Sequence, residues 1–290
     1  MPLRKSAMPR HDARAETVNV GGRATLETLR VEQTGSTNAD LLAWVRQTAG
    51  STIEPRLLVA DRQTAGRGRH GRAWHSTPGA SLTFSLAWPM ADADLSGLSL
   101  AVGVALAEAI DPRPSPALRV GLKWPNDLWL VGDDTPGRKL GGVLIETAPL
   151  GSGRVAVVGV GLNVLLQRVD DAASGIAWVR EIDAEVTPEG LLERVAPALA
   201  DALQEFERSG FAAFATRFEA RDLLRGQAVR CGGDHAARIE GVALGVSTSG
   251  ELLVRTKEGI ERIVSGEVSV RLGEAGASAS AQDAAAGASC

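Results

Sequence analysis

Apolar residues recur along this chain in two periods, and where each period holds sets the first picture of the fold. Leu57–Val59, Ser81–Leu86, Leu128–Val131, Val143–Ile145 and Val155–Val160 are apolar or alternating runs, the pattern of strands. Within Ala39–Gln47, Leu41, Leu42 and Val45 share one helical face, and Thr37 with Asp40 resembles a capping box in front of them. Leu95–Ile110, rich in Ala and Leu, predicts a second helix, and Pro188–Phe206 a third. Strands and helices interleave irregularly over residues 26–225, with strands close enough for hairpins. That order predicts an α+β domain, a mixed β-sheet with packed helices, rather than a strictly parallel fold.

The texture changes over residues 226–272. Val229, Ala237–Val242, Leu252–Thr256 and Glu261–Val264 are short strand-like segments set apart by Gly232-Gly233, Ser249-Gly250 and Glu258-Gly259. Such spacing predicts a small C-terminal β-barrel domain. Residues 1–25 are polar and lack helical periodicity, which reads as a flexible leader. Residues 273–290 are mostly Ala, Gly and Ser with almost nothing to bury, which reads as a disordered tail.

Composition narrows the function classes. The 290 residues are 44% hydrophobic and 23% charged, ordinary for a soluble globular protein, with a formal net charge of -4. That balance argues against a general binder of DNA or of an anionic membrane, so any affinity for anions has to be local. No apolar run reaches the length of a transmembrane span, and no apolar core follows Arg4, Lys5, Arg10 and Arg14, so a cytoplasmic location is expected. Cys231 and Cys290 lie too far apart to suggest a metal site or a disulfide framework, and His11, His70, His75 and His235 form no recognisable metal set.

Against this acidic background, Asp61–Arg72 carries four arginines and three glycines in twelve residues. Glycine lets the backbone present N–H groups at close range, and arginine supplies permanently charged forks that match phosphate oxygens. The segment is neither a P-loop nor a dinucleotide fingerprint. A solvated basic loop or an RNA-binding Arg-Gly segment fits it almost as well as a nucleotide loop. In Gly121–Asp127, Pro125 fixes a turn that holds Lys123 and Asp127 in a defined relation: either a phosphate and magnesium site or a surface ion pair. Lys139, just before Gly141-Gly142 and an apolar strand, suits charge developing on a carboxylate or α-phosphate, or else merely an exposed hairpin turn. Gly159–Val164 ends a strand with glycines and Asn163, as a bulge or as a wall against a purine or ribose. Thr34–Asn38 is either an N-cap or a set of hydroxyls and an amide suited to a ureido ring, which offers two donors and one acceptor.

Gly-Ser-Thr-Asn at 35–38, Gly-Arg-Gly-Arg-His-Gly-Arg at 66–72, Lys-Trp-Pro-Asn-Asp at 123–127, Lys-Leu-Gly-Gly at 139–142 and Gly-Val-Gly-Leu-Asn-Val at 159–164 together resemble the biotin protein ligase family. Gly-Glu-Val-Ser-Val-Arg at 266–271 is similar to the end of that family's small terminal barrel. The resemblance runs from about Leu26 to Arg271 and implies the biotin/lipoate ligase catalytic fold with a two-step reaction. Biotin and MgATP give biotinyl-5′-AMP, and biotin then passes to a lysine of the biotin carboxyl carrier protein of acetyl-CoA carboxylase. By the same resemblance Ser36, Thr37, Asn38, Gln63, Arg67, Gly68, Arg69, Lys139 and Gly142 meet biotin, with Lys139, Arg67 and Arg69 catalytic. Arg69, Arg72, Trp74, Lys123, Asn126, Asp127, Gly161, Asn163 and Arg271 serve the nucleotide, and Asp127 is the candidate magnesium ligand. ATP and Mg2+ are the substrate and metal expected, with no tightly bound prosthetic group. A ligand-linked homodimer is a further expectation.

Three departures accompany the resemblance. Residues 1–25 are too short and polar for the helix-turn-helix that makes many members repressors, implying a monofunctional ligase without operator binding. His70 stands where an arginine is common, and the insertion Gly132–Gly137 lengthens a hairpin. The nearest rival is a lipoate or octanoate ligase of the same superfamily, then a nucleic-acid-binding module, then a biotin sensor without catalysis.

Overall fold

The computed structural model describes residues 14–272, apart from 21–23, 49–52, 91–93, 114–118, 133–136, 168–174, 233–238 and 265–268. The larger unit is built from β1 (Arg14–Val20), β2 (Ala24–Thr34), α1 (Thr37–Gln47), β3 (Arg56–Gln63), β4 (Ser81–Met90), α2 (Leu98–Ile110), β5 (Val120–Lys123), β6 (Asp127–Leu130), β7 (Arg138–Leu150), β8 (Gly153–Asn163), α3 (Pro188–Ser209) and α4 (Ala215–Glu219). Its eight strands form one sheet in the order β1-β2-β3-β4-β8-β7-β6-β5. β2 and β3 run parallel and the other pairs antiparallel, so the sheet is mixed, as the interleaved periods predict.

Alternation along the central strands assigns the two faces. Leu82, Phe84, Leu86 and Trp88 of β4, with Ala156, Val158, Val160 and Leu162 of β8, pack into the core shared with α2 and α3. Helix α3 presents Leu191, Leu192, Val195, Leu199, Leu203 and Phe206 at helical spacing; Thr187 caps its start by accepting from Gly190 N at 3.1 Å. On the opposite face Ala87, Val155 and Val157 pack with Leu41, Trp44 and Val45 of α1. Further along that face the strand positions become Gly159, Gly161 and Gly142. Fully burying a Val or Leu side chain contributes about 1.5–3 kcal/mol. Glycine at these positions forgoes that contribution and leaves a trough beyond the N-terminus of α1.

Several expectations change. Residues 14–20, read as part of a leader, form β1 against β2 in unbroken register from Arg14↔Arg30 to Val20↔Ala24. Thr17, Val18 and Val20 give the segment strand composition, but its partner supplies the order. The N-cap of α1 is Ser36, whose hydroxyl accepts from Ala39 N, whereas Asp40 bonds the Thr34 hydroxyl instead of closing a box with Thr37. Helix α2 begins at Leu98, because Gly97 before it takes a left-handed φ of +78°. The core of the insertion at 133–136, the tail from 273, His11, His235 and Cys290 lie outside the described residues.

The smaller unit comprises β9 (Ala228–Gly232), β10 (Ile239–Val246), β11 (Leu252–Arg255), β12 (Ile260–Ile263) and β13 (Ser269–Leu272). They form an antiparallel sheet in the order β12-β11-β10-β9-β13. Among the described residues its edges β12 and β13 do not pair, so the expected closed barrel is an open sheet. Turn residues at even spacing announce short strands, but closure depends on the shear between first and last, which local pattern does not carry. This unit meets the larger one where buried Trp124 donates its indole N–H to Gly250 O at 3.0 Å. No helix of the described residues is long and apolar enough to cross a membrane.

Candidate active site

The trough is a cavity of about 170 Å³, and its closed end is polar although deeply buried. Thr37 and Asn38, on the first turn of α1, are 2% and 4% exposed. Burying such groups is costly unless they are bonded, and here they are. Gln63 Oε1 accepts the Thr37 backbone N–H at 2.8 Å. Asn38 donates to Leu144 O at 3.2 Å and to Glu146 Oε2 at 2.9 Å. Asn38 sits over Gly159 so tightly that a Cβ there would stand 2.4 Å from Asn38 Oδ1, so the position demands glycine.

The arginine segment forms the near wall. Thr64 N and Ala65 N donate to Thr34 O and Gly35 O, extending the β2–β3 pairing. Beyond them the chain doubles back: Trp74 N donates to Gly66 O at 2.9 Å and Gly68 N to Arg72 O at 2.7 Å. His70 and Gly71 turn the tip with φ of +56° and +70°. Arg67 meets Glu146 at 3.4 Å. Burial pushes the Arg69 guanidinium below its ordinary pKa; Asp127 pulls it upward and Arg72 pushes it further down. Burial and a like charge both penalise this cation, the condition under which a bound anion is most stabilising.

Lys139 reaches the opposite wall through an irregularity. Asp127 pairs with Gly142 and Leu128 with Gly141, but Trp129 pairs with Lys139, so Leu140 is an extra residue in β7. The bulge turns Lys139 onto the face of Gly142 and Asp127, and its Nζ donates to Asp127 Oδ1 at 2.6 Å. Asn126 Nδ2 donates to Val143 O at 2.7 Å, fixing the turn that carries Asp127. Across the sheet, Thr83, Gly161, Gly142 and Asp127 stand in one row. Trp74 lies on Gly161, where a Cβ would come within 2.3 Å of its ring. The Thr83 hydroxyl and the Trp74 indole N–H lie buried on the floor of the row without a protein hydrogen-bond partner, so both are open to a polar group in the cavity.

The residues singled out in the sequence are brought together in large part. Ser36, Thr37, Asn38, Gln63, Arg67, Gly68, Arg69, Arg72, Trp74, Asn126, Asp127, Lys139, Gly142 and Gly161 all line the cavity. Lys123 does not: its ammonium lies 4.5 Å from the Trp129 ring centroid, beside a separate shallow depression that shares Asn126 and Asp127. Asn163 backs the wall, donating to Lys139 O at 3.3 Å and accepting from Gln167 Nε2 at 3.0 Å. Arg271 pairs with Arg230 in the small sheet, and its side chain lies outside the described residues. Sequence reasoning missed Thr83, Phe84 and Leu144 in the lining, and Ser85 and Glu146 behind it. The available signal was Thr83 and Ser85 inside a mostly apolar strand buried on both faces. Among the described residues no group of three or more His, Cys, Asp or Glu stands ready to hold a metal ion.

Comparison with known proteins places these features in a family. The model described as Biotin/lipoate A/B protein ligase family matches residues 31–163, and the Biotin protein ligase C terminal domain matches residues 226–271. The chain is 36% identical over 234 residues to the biotin--[acetyl-CoA-carboxylase] ligase of Mycobacterium tuberculosis, covering 77% of this chain and 80% of that protein. It is 34% identical over 222 residues to the bifunctional ligase/repressor BirA of Salmonella typhimurium, covering 74% and 67% respectively. The biotin protein ligase of Aquifex aeolicus in complex with biotin and ATP superposes with a TM-score of 0.67 at 29% identity, covering 85% of this chain and 99% of that one.

Proposed function

We infer, from the premise that this chain belongs to the biotin/lipoate A/B protein ligase family, that it is an ATP-dependent biotin protein ligase. It forms biotinyl-5′-AMP from biotin and MgATP, then transfers biotin to a lysine of a biotin carboxyl carrier protein. The observation that carries this reading is the position of the Lys139–Asp127 pair. It shares one cavity with a polar end, made by Thr37, Asn38 and Gln63 and flanked by Arg67 through Glu146, and with a second end that carries Arg69 and Arg72 beside Asp127. A small neutral ring fits the first end and phosphates the second, with Lys139 where the two meet.

The chemistry follows from charge. In the first step a carboxylate oxygen bonds to the α-phosphorus and the bond to pyrophosphate breaks. Both reactants are anions, and their approach is unfavourable unless cations stand at the meeting point. A unit charge at ~4 Å with an effective dielectric near 20 is worth about 4 kcal/mol. Lys139, Arg69 and Arg72 line the cavity and supply charge of the sign that offsets this repulsion. Lys139 donates to the biotin carboxylate and afterwards to the acyl-phosphate oxygen, while Arg67 and Arg69 hold the mixed anhydride away from water. In the second step the carrier amine bonds to the acyl carbon, loses a proton and expels AMP. A magnesium arriving with the triphosphate needs one or two protein carboxylates, and Asp127 is the cavity carboxylate that fits; bound there, it would neutralise phosphate charge.

Pyrophosphate exchange with MgATP and either biotin or lipoate, without carrier, tests the assignment. Exchange with biotin alone is expected. Exchange with lipoate alone would move the chain to the lipoate or octanoate side of the family, and exchange with neither would sink the ligase reading.

A further inference from the structure

Behind the closed end of the cavity, Ser85 is fully buried on β4, a polar residue among apolar neighbours. Its hydroxyl lies 2.6 Å from the Thr37 hydroxyl and 2.6 Å from Asn38 Oδ1. Oxygens this close need a proton between them. The orientation of the Asn38 amide is settled separately. Its NH2 faces Leu144 O at 3.2 Å and Glu146 Oε2 at 2.9 Å, both of which only accept, so Oδ1 faces Ser85. Since Oδ1 has no proton, Ser85 gives its own to Asn38. The proton between Ser85 and Thr37 then has to come from Thr37. One polarity satisfies the row: Thr37 donates to Ser85, Ser85 to Asn38, and Asn38 to Glu146 and Leu144.

This polarity has a consequence at the cavity. The Thr37 oxygen also lies 3.0 Å from Gln63 Oε1, which is itself held as an acceptor by the Thr37 backbone N–H. Thr37 has a single hydroxyl proton, and Ser85 takes it. Two acceptors therefore face each other across a notch at the closed end. A ligand N–H seated there is shared by both and relieves their repulsion, whereas a ligand oxygen would meet only lone pairs.

We propose that Ser85 is a positioning residue that holds the Thr37 hydroxyl as an acceptor and so makes this notch select a ring N–H, the ring being the cyclic urea of biotin if the ligase reading above holds. Removing the Ser85 oxygen frees the Thr37 proton to swing onto Gln63 Oε1, and the incoming N–H then meets a donor. Ser85 touches no ligand in this scheme; it acts through Thr37.

Titration calorimetry of the full chain with biotin tests this, using wild type, Ser85→Ala, Thr37→Val and the double variant. Ser85→Ala is expected to weaken binding on the order of ten-fold. Thr37→Val should lose at least as much, and the double variant should match Thr37→Val within about two-fold, because the two residues act as one. Ser85→Cys, close in size with a weakly donating thiol, should fall between wild type and Ser85→Ala, and carries the test should the alanine variant not fold. Wild-type affinity in the Ser85 variants would overturn the proposal. So would losses that multiply in the double variant, since they would make Ser85 a packing residue independent of Thr37. A wild-type chain that does not bind biotin at all would overturn the ligase reading and this proposal with it.

Discussion

Lys139 Nζ stands 2.6 Å from Asp127 Oδ1, although strict alternation along β7 would place the lysine on the opposite face of the sheet from Gly142. The single extra residue, Leu140, is fully buried in the core on that opposite face. The bulge thus serves both sides at once: it keeps an apolar side chain in the core and delivers a cation to the cavity.

Lys139→Ala should leave the protein folded while lowering adenylate formation by at least about a hundred-fold, the scale of losing one preorganised electrostatic contact. Pyrophosphate exchange measures the loss and circular dichroism the fold. Near-normal exchange would remove Lys139 from its role.

Arg69→Ala should shorten the lifetime of the bound adenylate more than it slows its formation, because a half-buried guanidinium on the loop wall retains an anion already made. Filter retention of labelled adenylate reads the release rate directly. Unchanged retention would take the loop out of that task.

Gly161→Ala places a methyl where the Trp74 ring lies, with only 2.3 Å available. Overpacking of this kind costs typically 1–3 kcal/mol, and here the tryptophan has to move off the floor of the cavity. The expected result is a raised KM for ATP with a quenching-accessible tryptophan. A variant with wild-type kinetics would show that Trp74 is not fixed by the glycine.

Trp124→Phe removes the indole donor from Gly250 O and leaves a buried carbonyl without its partner. A loss of about 1–3 kcal/mol in urea unfolding is expected. An unchanged midpoint would mean that the contact between the two units contributes nothing to stability.

Acid should destabilise the protein partly through Asp111, whose carboxylate is fully buried. Burial alone would raise its pKa, but hydrogen bonds from Arg113 and from the amides of Arg119 and Val120 outweigh that and hold it below the ordinary value of 3.8. A folded pKa below the unfolded one stabilises the fold fully above pH 3.8, and that stability is lost as pH falls further, through the folded value. Urea unfolding of wild type and Asp111→Asn between pH 7 and pH 3 checks the sign: the gap between them should narrow with acid. A gap that widens would refute it.

Much of the fold can be read locally, because burial imposes its period on the chain. Leu82, Phe84 and Leu86 alternate against a sheet-wide core, and Leu191 to Phe206 repeat at helical spacing. β1, β2 and β5 carry no clear strand pattern: β1 and β5 are edge strands that owe their order to a partner, and β2, although interior, mixes polar residues into ATLETLRVEQT so that no apolar run marks it. The motif residues were conspicuous as types: arginine and glycine dense in an acidic chain, and a lysine before paired glycines. Ser85 and Glu146 were not, since a serine in an apolar strand and a glutamate at its flank are common, and only their neighbours give them meaning.

What the sequence determined by itself is thus the inventory: which segments bury an apolar face, which turns need glycine or proline, and which charges are available to the site. Tertiary structure decided the rest. It set the bulge that turns Lys139 toward Asp127, laid Trp74 on Gly161, and put three hydrogen-bonding side chains from α1 and β4 in one row. It also left the small sheet open. Each of these depends on pairing register or on contacts between residues far apart in the chain. Local propensity is the same whether a strand keeps its register or slips, so such relationships exist only once the strands have met.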